Sequence, residues 1–402
     1  MSYVELDFSE SKLSLDWQEV NQMFGADLGD GSGWVLERVM NVAIAEEFKT
    51  YVGARRYERV AGRQGWRNGY RKRSLSTRVG PIELTIPRLR EENFQPSWLA
   101  RYRRIEQSLA EGIKTMFIRG VSTEGCGDVL QALCGERISK STVSKLALSL
   151  NEQVGEYLQR PVDDNFVFLY LDGISVKIRK ELSAEKWQLL VAYGIRADGS
   201  RELIGFQKSA SESEACWERF LNNLKMRGLK GNRLQLIILD GSKGLWKAVG
   251  KAYPQVEDQL CWVHKLRNVA KACPKRYHDD CILQAAQIMY APSARTAAGR
   301  FRAWKRRWQA LAPNAVACLE RDFDRLLAVF AFPESIRKII RSTNVIERCF
   351  REVRRRLKPM GYFQNAHSAF RIIYALFARM NAKWEQKRFH IKAIKDGFKP
   401  AA

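Results

Sequence analysis

Residues 166–173 read FVFLYLDG, a run of six apolar residues followed by an aspartate and a glycine. An apolar run of this length, rich in aromatic residues, predicts a buried β-strand. A carboxylate at the end of such a strand is held by rigid backbone, as a metal-binding side chain requires. The pattern recurs at 234–241, LQLIILDG, and a further carboxylate lies downstream at Glu347. Asp172, Asp240 and Glu347 are therefore the candidate acidic residues of one site.

The composition is that of a folded soluble protein with a strong positive charge. The 402 residues are 46% hydrophobic and 28% charged, and 68 Lys and Arg against 44 Asp and Glu give a formal net charge of +24. This length predicts two or three domains with a sizeable core. A charge of this sign and size predicts a polyanionic partner.

The cysteines and the apolar segments bear on where the protein works. The eight cysteines show no regular spacing, and the chain opens with the acidic MSYVELDFSE rather than a basic and apolar signal. We interpret the cysteines as reduced thiols of a cytoplasmic protein. No stretch of eighteen apolar residues occurs in the sequence, which argues against a membrane span.

A basic segment with interleaved aromatic residues lies at 55–73, RRYERVAGRQGWRNGYRKR. It follows a predicted amphipathic helix over 35–48 and a glycine-rich break at 25–33. Eight basic residues against one acidic residue, set among aromatic residues and glycines, suit contacts with DNA phosphates. A solvated basic loop is the alternative. The candidate DNA contacts here are Arg63, Arg67, Arg71, Lys72 and Arg73.

A β-hairpin and three short helices are predicted next. Residues 75–87 alternate apolar and polar side chains around a central glycine and proline, which predicts the hairpin. Between 105 and 150 the pattern predicts three helices with breaks near 120–123 and 135–140. The third helix exposes small hydroxyls and a lysine, which suits entry into the DNA major groove, although ordinary helix packing is the alternative. Its candidate DNA contacts are Ser141, Thr142 and Lys145.

A mixed sheet follows. After the first strand the patterns predict antiparallel strands at 176–179, 187–195 and 203–206, and then a helix at 217–224. A fourth strand at 234–239, a second helix at 245–249 and a fifth strand at 259–263 follow. This order is that of an RNase H-like sheet, in which the first and fourth strands are neighbours. Such a sheet would bring Asp172 and Asp240 together.

The segment 265–337 shows almost entirely helical patterns and separates the fifth strand from Glu347. We interpret it as an all-α insertion into the sheet domain. Trp304 and Trp308 lie four residues apart on one predicted helix face, which favours a place in a helix core over base stacking.

The three carboxylates suit a site for divalent cations. Phosphodiester chemistry on DNA uses two such ions about 4 Å apart. Mg²⁺ takes hard oxygen ligands and needs few carboxylates, because water and substrate phosphate complete its shell. We expect two Mg²⁺ (or Mn²⁺) ions, with Asp172 bridging them and Asp240 and Glu347 each holding one. Each carboxylate has an alternative role, since an Asp-Gly pair is often a turn and Asn344 with Glu347 fits a capping box.

The helix predicted around Glu347 has a charged face and an apolar face. The charged face carries Glu347, Arg351, Arg354 and Lys358, and the apolar face carries Ile346, Phe350, Val353 and Leu357. Between 337 and 358 there are nine basic residues and two acidic residues. A carboxylate at the head of a basic face suits metal and phosphate binding together. Arg351, Arg354 and Arg355 are therefore candidate DNA contacts.

Four possible zinc ligands have the spacing C-x2-H-x8-C-x4-H, namely Cys261, His264, Cys273 and His278. Structural zinc sites use such ligands, but the two pairs lie close together, and Cys261 ends a predicted buried strand, where thiols usually pack as small hydrophobes. We favour a role for His264 beside the acidic site and expect it near Asp240, because the fifth strand of the sheet neighbours the fourth. There His264 would contact the scissile phosphate, order a water or move a proton.

Four segments, in this order, closely resemble the Mutator-type DDE transposases of bacterial insertion sequences: LYLDGISVKIR, IILDGSKGLWKAV, CWVHKLRNV and RSTNVIERCFREVRRRLKPMGYFQN. The resemblance runs from about Tyr57 to Trp384 and so covers most of the chain. The first 34 residues have no clear counterpart, and Arg341-Ser342 stands where Lys-Thr is frequent. Neither departure touches the carboxylates.

This resemblance implies an α/β fold, in which an RNase H-like catalytic domain carries an all-α insertion and follows a mainly helical DNA-binding region with a β-hairpin. It places the acidic triad on Asp172, Asp240 and Glu347, and the family's Cys-x-x-His element on Cys261 and His264. The expected regions are a helical, basic and hairpin region (1–104), a helix-turn-helix-like DNA-binding unit (105–160), the first part of the catalytic core (161–264), the helical insertion (265–337), and the catalytic helix with a basic tail (338–402).

The function expected from the resemblance is that of a cut-and-paste or copy-out transposase. It would bind the terminal inverted repeats of its element, cleave the DNA strand at the element end and join the freed 3′ hydroxyl to target DNA. The expected setting is double-stranded DNA at the bacterial nucleoid, bound by a homodimer or higher oligomer. Two alternatives stay open. A DNA-binding regulator or architectural protein would not need the carboxylates, and an RNase H-like junction-resolving nuclease would not join strands.

Overall fold

The computed structural model describes residues 3–8, 11–16, 28–100, 104–179 and 184–389. The chain divides into two compact units, Met1–Ser149 and Leu150–Ala402. Among the helices of the described residues, none is both long enough and apolar enough to cross a membrane.

The first unit combines hairpins with helices. Its described elements are β1 (Tyr3–Phe8), β2 (Ser11–Asp16), α1 (Leu28–Val52), β3 (Arg67–Thr77), β4 (Gly80–Leu89), α2 (Gln107–Arg119), α3 (Thr123–Cys134) and α4 (Lys140–Leu148). Strand β1 pairs antiparallel with β2, and β3 pairs antiparallel with β4. The pairing of Thr77 with Gly80 closes the second hairpin. The hairpin predicted over 75–87 is therefore confirmed, and it extends into the basic segment.

Helix α1 packs against the β3–β4 hairpin. Ile44, Phe48 and Val52 of the helix are buried in one core with Leu84 and Ile86 of β4. The three helix residues recur at intervals of four and the two strand residues at an interval of two, so each element buries a single face. These are the periods from which both elements were predicted.

The break predicted over 25–33 is wrong for the residues that the structure describes, because α1 begins at Leu28 and runs through Gly33. A Cβ atom at Gly33 would lie 3.1 Å from the carbonyl oxygen of Val79, in the turn between β3 and β4. A glycine there lets the helix approach this turn more closely than a side chain would allow. Gly33 therefore serves packing rather than chain flexibility. Residues 25–27 lie outside the described part of the chain.

Helices α2, α3 and α4 are separated by short capped turns. Gly120 ends α2 in the left-handed conformation, with φ at 119°. The Ser122 hydroxyl caps α3 by accepting a hydrogen bond from the backbone N–H of Gly125 at 2.9 Å. Ser139 caps α4 in the same way, through the N–H of Thr142. Such caps satisfy backbone groups that would otherwise lack partners. The three predicted helices and the cap before α3 are confirmed.

The second unit is built on a five-stranded sheet. Its first elements are α5 (Leu150–Gln159), β5 (Phe166–Arg179), β6 (Ala184–Arg196), β7 (Arg201–Ser209), α6 (Glu214–Met226), β8 (Leu236–Leu239), α7 (Lys243–Ala252) and β9 (Glu257–Leu260). The strand order is β7-β6-β5-β8-β9. Neighbours among β5, β6 and β7 are antiparallel, whereas β8 runs parallel to β5 and β9 parallel to β8. The predicted adjacency of the first and fourth strands, and of the fourth and fifth, is confirmed.

Strand β5 continues beyond the point predicted from the sequence. We expected a strand ending at Asp172 and a separate strand at 176–179, but β5 is one strand that pairs with β6 as far as Arg179. Residues 166–172 are buried on both faces, and from Gly173 onward buried and more exposed residues alternate. The apolar run therefore ends where one face of the sheet becomes exposed, not where the strand ends.

The rest of the second unit is helical. It contains α8 (Trp262–Ala272), α9 (His278–Met289), α10 (Ala294–Trp308), α11 (Pro313–Glu320), α12 (Glu334–Ile340), α13 (Asn344–Leu357) and α14 (Ala366–Glu385). Trp304 and Trp308 of α10 are buried, and their indole N–H groups donate to the Cys281 carbonyl and the Gln284 side chain, each at 3.0 Å. Their predicted place in a helix core is confirmed.

Helices α5 and α14 pack together against β7. The Asn381 side chain exchanges hydrogen bonds with the backbone of Leu203, at 2.9 and 3.2 Å. The ring of Tyr374 lies 5.2 Å from that of Tyr157, centre to centre, and the Tyr157 hydroxyl donates to the Leu203 carbonyl. Helix α5, which the sequence grouped with the helix-turn-helix-like unit, thus belongs to the second compact unit.

Candidate active site

Asp172 and Asp240 lie where two parallel strands separate. The last paired residues of β5 and β8 are Leu171 and Leu239, and β8 ends there. The two aspartates are the next residues along their strands. The carboxylates therefore arise side by side at one edge of the parallel pair, as the sequence predicted.

Backbone N–H groups orient the two aspartates. The N–H of Gly173 donates to Oδ1 of Asp172 at 2.7 Å, and that of Ser242 donates to Oδ1 of Asp240 at 2.9 Å. Within the described part of the chain, neither aspartate has a basic side chain at ion-pair distance. The pair thus concentrates negative charge without an ion pair to a basic side chain of the described residues.

Asp172 is the more buried of the two, at 6% exposure. Burial, and then the negative charge of Asp240, raises the pKa of Asp172 to about 7. Removing a carboxylate from water and placing it beside another both disfavour its ionised form. His264 lowers this pKa and Glu347 raises it, so three neighbouring charged groups act on Asp172 electrostatically.

Helix α13 brings Glu347 to the site, where two basic side chains bind it. Arg267 on α8 donates from Nη1 and Nη2 to the two carboxylate oxygens, at 2.9 and 3.3 Å. His264 Nε2 lies 3.3 Å from Oε1. The alternative of a capping box is not formed, because Asn344 is the first residue of α13 and the cap residue, Thr343, makes no side-chain cap bond. Glu347 instead contacts α8.

His264 is held by a buried network at the start of α8. Its Nδ1 lies 3.2 Å from the Thr343 hydroxyl oxygen, and that hydroxyl lies 3.4 Å from the Cys261 sulfur, to which it donates. The backbone N–H groups of His264 and Thr343 also donate to this sulfur, at 3.5 and 3.2 Å. We expected His264 next to Asp240, but the carboxylate it contacts is Glu347. The reason is that α13 lies across the start of α8, just past the end of β9.

The same network sets the protonation of His264. Because the Thr343 proton goes to sulfur, its oxygen accepts from Nδ1–H, while Nε2 faces a carboxylate and must also carry a proton. The neighbouring Cys261 sulfur, together with the charges of Asp172 and Glu347, raises the pKa of His264 to about 9. Burial raises the pKa of Cys261, but its bonds to His264 and Thr343 outweigh burial and lower it. The ring is therefore an imidazolium at neutral pH.

A fourth carboxylate, which the sequence did not single out, belongs to Glu212 in the loop between β7 and α6. Its side chain lies against Gly173, where an added Cβ would come within 2.9 Å of its Cδ. Burial, and then the charge of Asp240, raises the pKa of Glu212. No local motif marks this residue in the sequence SASESEACW. The only signal is that β7 runs in the same direction as β5, so the loop after β7 lies at the same end of the sheet as Ser175.

The carboxylates fit hard divalent cations that also bind substrate. No three acidic, histidine or cysteine side chains of the described residues lie close enough together to hold a metal ion, whether around Asp172 or around Cys261. Mg²⁺ does not require three such side chains, because it is commonly bound by one or two carboxylates together with water and substrate phosphates. Two adjacent aspartates with no basic partner are such a donor set, since an uncompensated buried charge is costly unless a cation neutralises it.

Arg63 and Arg67, predicted to contact DNA, are engaged within the first unit. The Arg67 guanidinium lies 4.8 Å from the centre of the Phe48 ring and donates to the Ala54 carbonyl at 2.8 Å. The Arg63 guanidinium lies 4.9 Å from the centre of the exposed Trp66 ring. Arg67 therefore ties β3 to the end of α1, whereas Arg63 and Trp66 present a flat cationic surface to solvent.

The other basic residues of β3 are more accessible. Arg71 is exposed, and Lys72 pairs with Glu83 at 2.7 Å while its side chain stays 74% exposed. Arg73 is half-buried and donates to the Ala100 carbonyl at 3.2 Å. Arg71 and Lys72 are thus the residues of this strand best placed to reach a polyanion.

The candidate DNA contacts on α4 also divide into accessible residues and a residue engaged within the fold. Ser141 and Lys145 are exposed. Thr142 is half-buried, and its hydroxyl lies 2.9 Å from that of Ser139 inside the cap of α4. Thr142 thus has a structural role at the start of its own helix, and Ser141 and Lys145 form the accessible surface.

Helix α13 has the two faces that the sequence predicted. Ile346, Phe350 and Val353 are buried at 0–1% exposure. Arg351 and Arg354 are exposed and have no acidic partner among the described residues, whereas Arg355 pairs with Glu352 at 2.9 Å. The face that begins at Glu347 therefore carries unpaired positive charge.

The mixed sheet thus presents an aspartate pair at its parallel edge, beside a glutamate and a histidine from neighbouring helices. The family described as "Transposase, Mutator family" matches residues 9–387, and the chain belongs to this family.

Curated relatives are named as transposases of insertion sequence elements. The transposase for insertion sequence element ISRM5 of Rhizobium meliloti is 32% identical over 362 residues, which cover 90% of each chain. The transposase for IS256 in transposon Tn4001 of Staphylococcus aureus is 36% identical over 88% of this chain and 91% of its own. The transposase for IS1081 of Mycobacterium tuberculosis is 32% identical over 93% and 91%, respectively.

Proposed function

We propose that this protein is a metal-dependent DNA transposase, which binds the terminal inverted repeats of its insertion sequence, cleaves the strand at the element end and joins the freed 3′ hydroxyl to target DNA. One observation carries the proposal: Asp172 and Asp240 meet at the end of the β5–β8 pair, and Glu347 from α13 acts on the same site. Membership of a transposase family supports this choice of chemistry.

We assign the five-stranded sheet to the RNase H-like class. Three antiparallel strands followed by two parallel ones, in the order β7-β6-β5-β8-β9, support this assignment. The helices from α8 to α12, which separate β9 from α13, would then be the insertion. In this arrangement the third carboxylate returns to the sheet on a helix, after the insertion, as the expected acidic triad requires.

Two divalent cations, Mg²⁺ or Mn²⁺, would supply Lewis acidity at the attacking and leaving oxygens of the phosphodiester. Asp172 would hold both ions, with Asp240 and Glu347 as ligands of one each. Arg267, half-exposed beside Glu347, would donate to a phosphate oxygen that enters the site, because a guanidinium suits phosphate as well as carboxylate. The protein thus provides positive charge next to the carboxylates, where the DNA backbone would lie.

His264 would hold a proton next to the reacting phosphate. Its ring is fixed from the buried side by Thr343, so Nε2 keeps a constant direction toward the carboxylates. A protonated Nε2 would donate to the scissile phosphate or to the leaving oxygen. Because Thr343 and Cys261 are almost fully buried, this orientation does not depend on solvent.

Accessible basic and hydroxyl side chains would bind the DNA. Arg63, Arg71, Lys72, Ser141 and Lys145 would contact element ends, and Arg351 and Arg354 would contact the backbone near the carboxylates. A formal charge of +24 supports binding to a polyanion of this kind. In this proposal the protein acts as a homodimer or higher oligomer on the bacterial nucleoid.

The experiment that tests the function combines the purified protein, Mg²⁺ and a labelled duplex that carries one element end. Nicking at the end, followed by a product joined to an unlabelled target duplex, is the expected result. Binding without nicking in both Mg²⁺ and Mn²⁺ would instead identify a DNA-binding regulator. Nicking of branched junctions without joining would identify a resolving nuclease.

A further inference from the structure

Glu212 occupies a position that the architecture of the site makes room for. It lies in the loop between β7 and α6. This loop passes close to Gly173, which follows Asp172, and to Gly244, four residues after Asp240. An added Cβ at Gly173, next to Asp172, would lie 2.9 Å from Cδ of Glu212. An added Cβ at Gly244, in the first turn of α7, would lie 2.8 Å from its carbonyl oxygen. Both distances are shorter than real Cβ contacts, so a side chain at Gly244 would displace the backbone of the loop, and one at Gly173 would displace the Glu212 side chain.

The two close approaches hold different parts of the same residue. Gly244 leaves room for the backbone of the loop, so the main chain of Glu212 lies against α7. Gly173 leaves room for the end of the side chain, so the carboxylate lies against this residue. Since Gly173 directly follows Asp172 in β5, the Glu212 carboxylate is confined to the edge where the aspartates meet.

The positive charges of Lys186 and His264 act on Glu212, but neither side chain forms an ion pair with it. The residue is half-buried, and within the described part of the chain its carboxylate has no ion-pair or hydrogen-bond partner. Its neighbour Glu214, two residues later, shows the contrast, because Lys251 binds it at 2.7 Å on α7. Glu347, the other glutamate of the site, is bound by Arg267. A half-buried carboxylate placed beside two more, with no ion-pair partner among the described residues, is costly unless an external cation binds there.

We propose that Glu212 is a further ligand of the site, and that it binds the divalent cation held by Asp172 and Asp240, directly or through one water. The inference rests on the proposed metal-dependent function and extends it. It gives the Asp172 side of the site three carboxylates, and it leaves Glu347, next to Arg267 and His264, on the other side. The two cation positions would thus differ in the net charge of their ligands.

The test measures the binding of Mn²⁺ to the full-length protein without DNA, by electron paramagnetic resonance of the free ion. Glu212→Gln keeps the shape of the side chain and removes its charge. Gly173→Ala keeps the charge and displaces the carboxylate. Both variants should bind Mn²⁺ roughly tenfold or more weakly than the wild type, the range in which lost supporting ligands act. Glu214→Gln is the matched control, and it should bind Mn²⁺ like the wild type.

A second readout follows nicking of the labelled element end as Mg²⁺ is raised. Glu212→Gln should shift the half-maximal Mg²⁺ concentration upward by a similar factor, whereas a residue that only supports the fold would lower the rate at every concentration. Circular dichroism checks that each variant is folded. If Glu212→Gln does not fold, Gly173→Ala tests the role of the Glu212 carboxylate.

The outcomes separate this inference from the proposed function. Wild-type Mn²⁺ affinity in both Glu212→Gln and Gly173→Ala, with binding lost in Asp172→Asn, would overturn the role of Glu212 and leave the function standing. A wild-type protein that neither binds Mn²⁺ nor nicks DNA would overturn both.

Discussion

Leu239 of β8 pairs with Leu171 of β5, and no parallel pair follows it. The register of this last pair decides the geometry of the site, since it makes Asp172 and Asp240 the first residues beyond the paired segment. Side chains alternate along a strand, so a slip of one residue would turn either aspartate to the other face of the sheet. The buried leucines on both strands fix the register, and the core of the sheet thereby positions the carboxylates.

Asp172→Asn, Asp240→Asn and Glu347→Gln should each lower cleavage and joining by roughly a thousandfold or more, because residues that act as one unit fail together. Each substitution keeps the size of the side chain and removes one ligand charge. Binding to element ends, measured by gel shift, should change little. Asp279→Asn, at a fully exposed aspartate on α9, is the control that should keep normal activity. Near-normal activity in any one of the three variants would remove that residue from the site.

His264→Ala should lower cleavage by roughly a hundredfold, the usual scale of a lost proton donor. The protein should stay folded and bind element ends as before, because the ring lies at the edge of the candidate active site and not in the hydrophobic core. His278→Ala is the matched control, since this histidine is half-exposed beside Asp279 on α9. Elemental analysis should find no stoichiometric zinc. About one zinc per chain, lost together with folding in His264→Ala, would make this a structural metal site instead.

The parts of this fold that follow from short periods were predictable from the sequence. The β3–β4 hairpin, the caps before α3 and the two faces of α13 all depend on alternation, helix spacing or one hydroxyl, and each is confirmed. The adjacency of β5 and β8 was also predictable, because the order of strands and helices restricts the topology. Asp172 and Asp240 could therefore be paired from the sequence.

The misses have a common physical cause, which is tertiary packing. The glycines before Val35 predicted a break, yet Gly33 lies inside α1 because a helix must approach the turn at Val79. Glu212 was overlooked because its place depends on where two glycines lie in other elements. Arg67 looked like a DNA contact by composition, and only the structure shows its guanidinium over Phe48.

The fragment Met1–Ser149 should bind element ends by itself, because it forms a compact unit with its own core and contains the exposed basic residues of β3 and α4. If it neutralises about six phosphates, log K should fall with log salt at a slope near −5. Fluorescence anisotropy over a salt series measures this slope. Equal affinity for the terminal repeat and for random duplex would contradict specific recognition.

Within that fragment, Arg71→Ala and Arg67→Ala should behave differently. Arg71 is exposed, so its loss should reduce the salt slope by about one without changing the melting temperature. Arg67 is packed over Phe48 and bonded to Ala54, so its loss should lower the melting temperature first. The reverse pattern would show that Arg67, and not Arg71, faces the DNA.

The ion pair of Lys265 and Asp322 should be a major contributor to the stability of the second unit. Lys265 is only 5% exposed and donates to the Asp322 carboxylate. Asp322→Asn leaves a buried ammonium without a countercharge, which should lower the free energy of unfolding by roughly 3 kcal/mol. Glu320→Gln removes the partner of Lys305 from an exposed pair and should cost less than about 1 kcal/mol. Urea denaturation of the full-length protein compares the two variants.

The pH dependence of stability gives an independent check on this pair. Burial alone would raise the pKa of Asp322, but the hydrogen bond and positive charge of Lys265 outweigh burial and hold that pKa below its ordinary value. A group with a lowered pKa in the folded state stabilises the protein fully above its unfolded pKa, about 3.9, and this contribution is lost as the pH falls through the folded-state pKa. The difference in unfolding free energy between wild type and Asp322→Asn should therefore be constant from pH 7 to 5 and shrink below about pH 4. A difference that stays unchanged down to pH 3 would mean that packing, and not the charge of Asp322, stabilises Lys265.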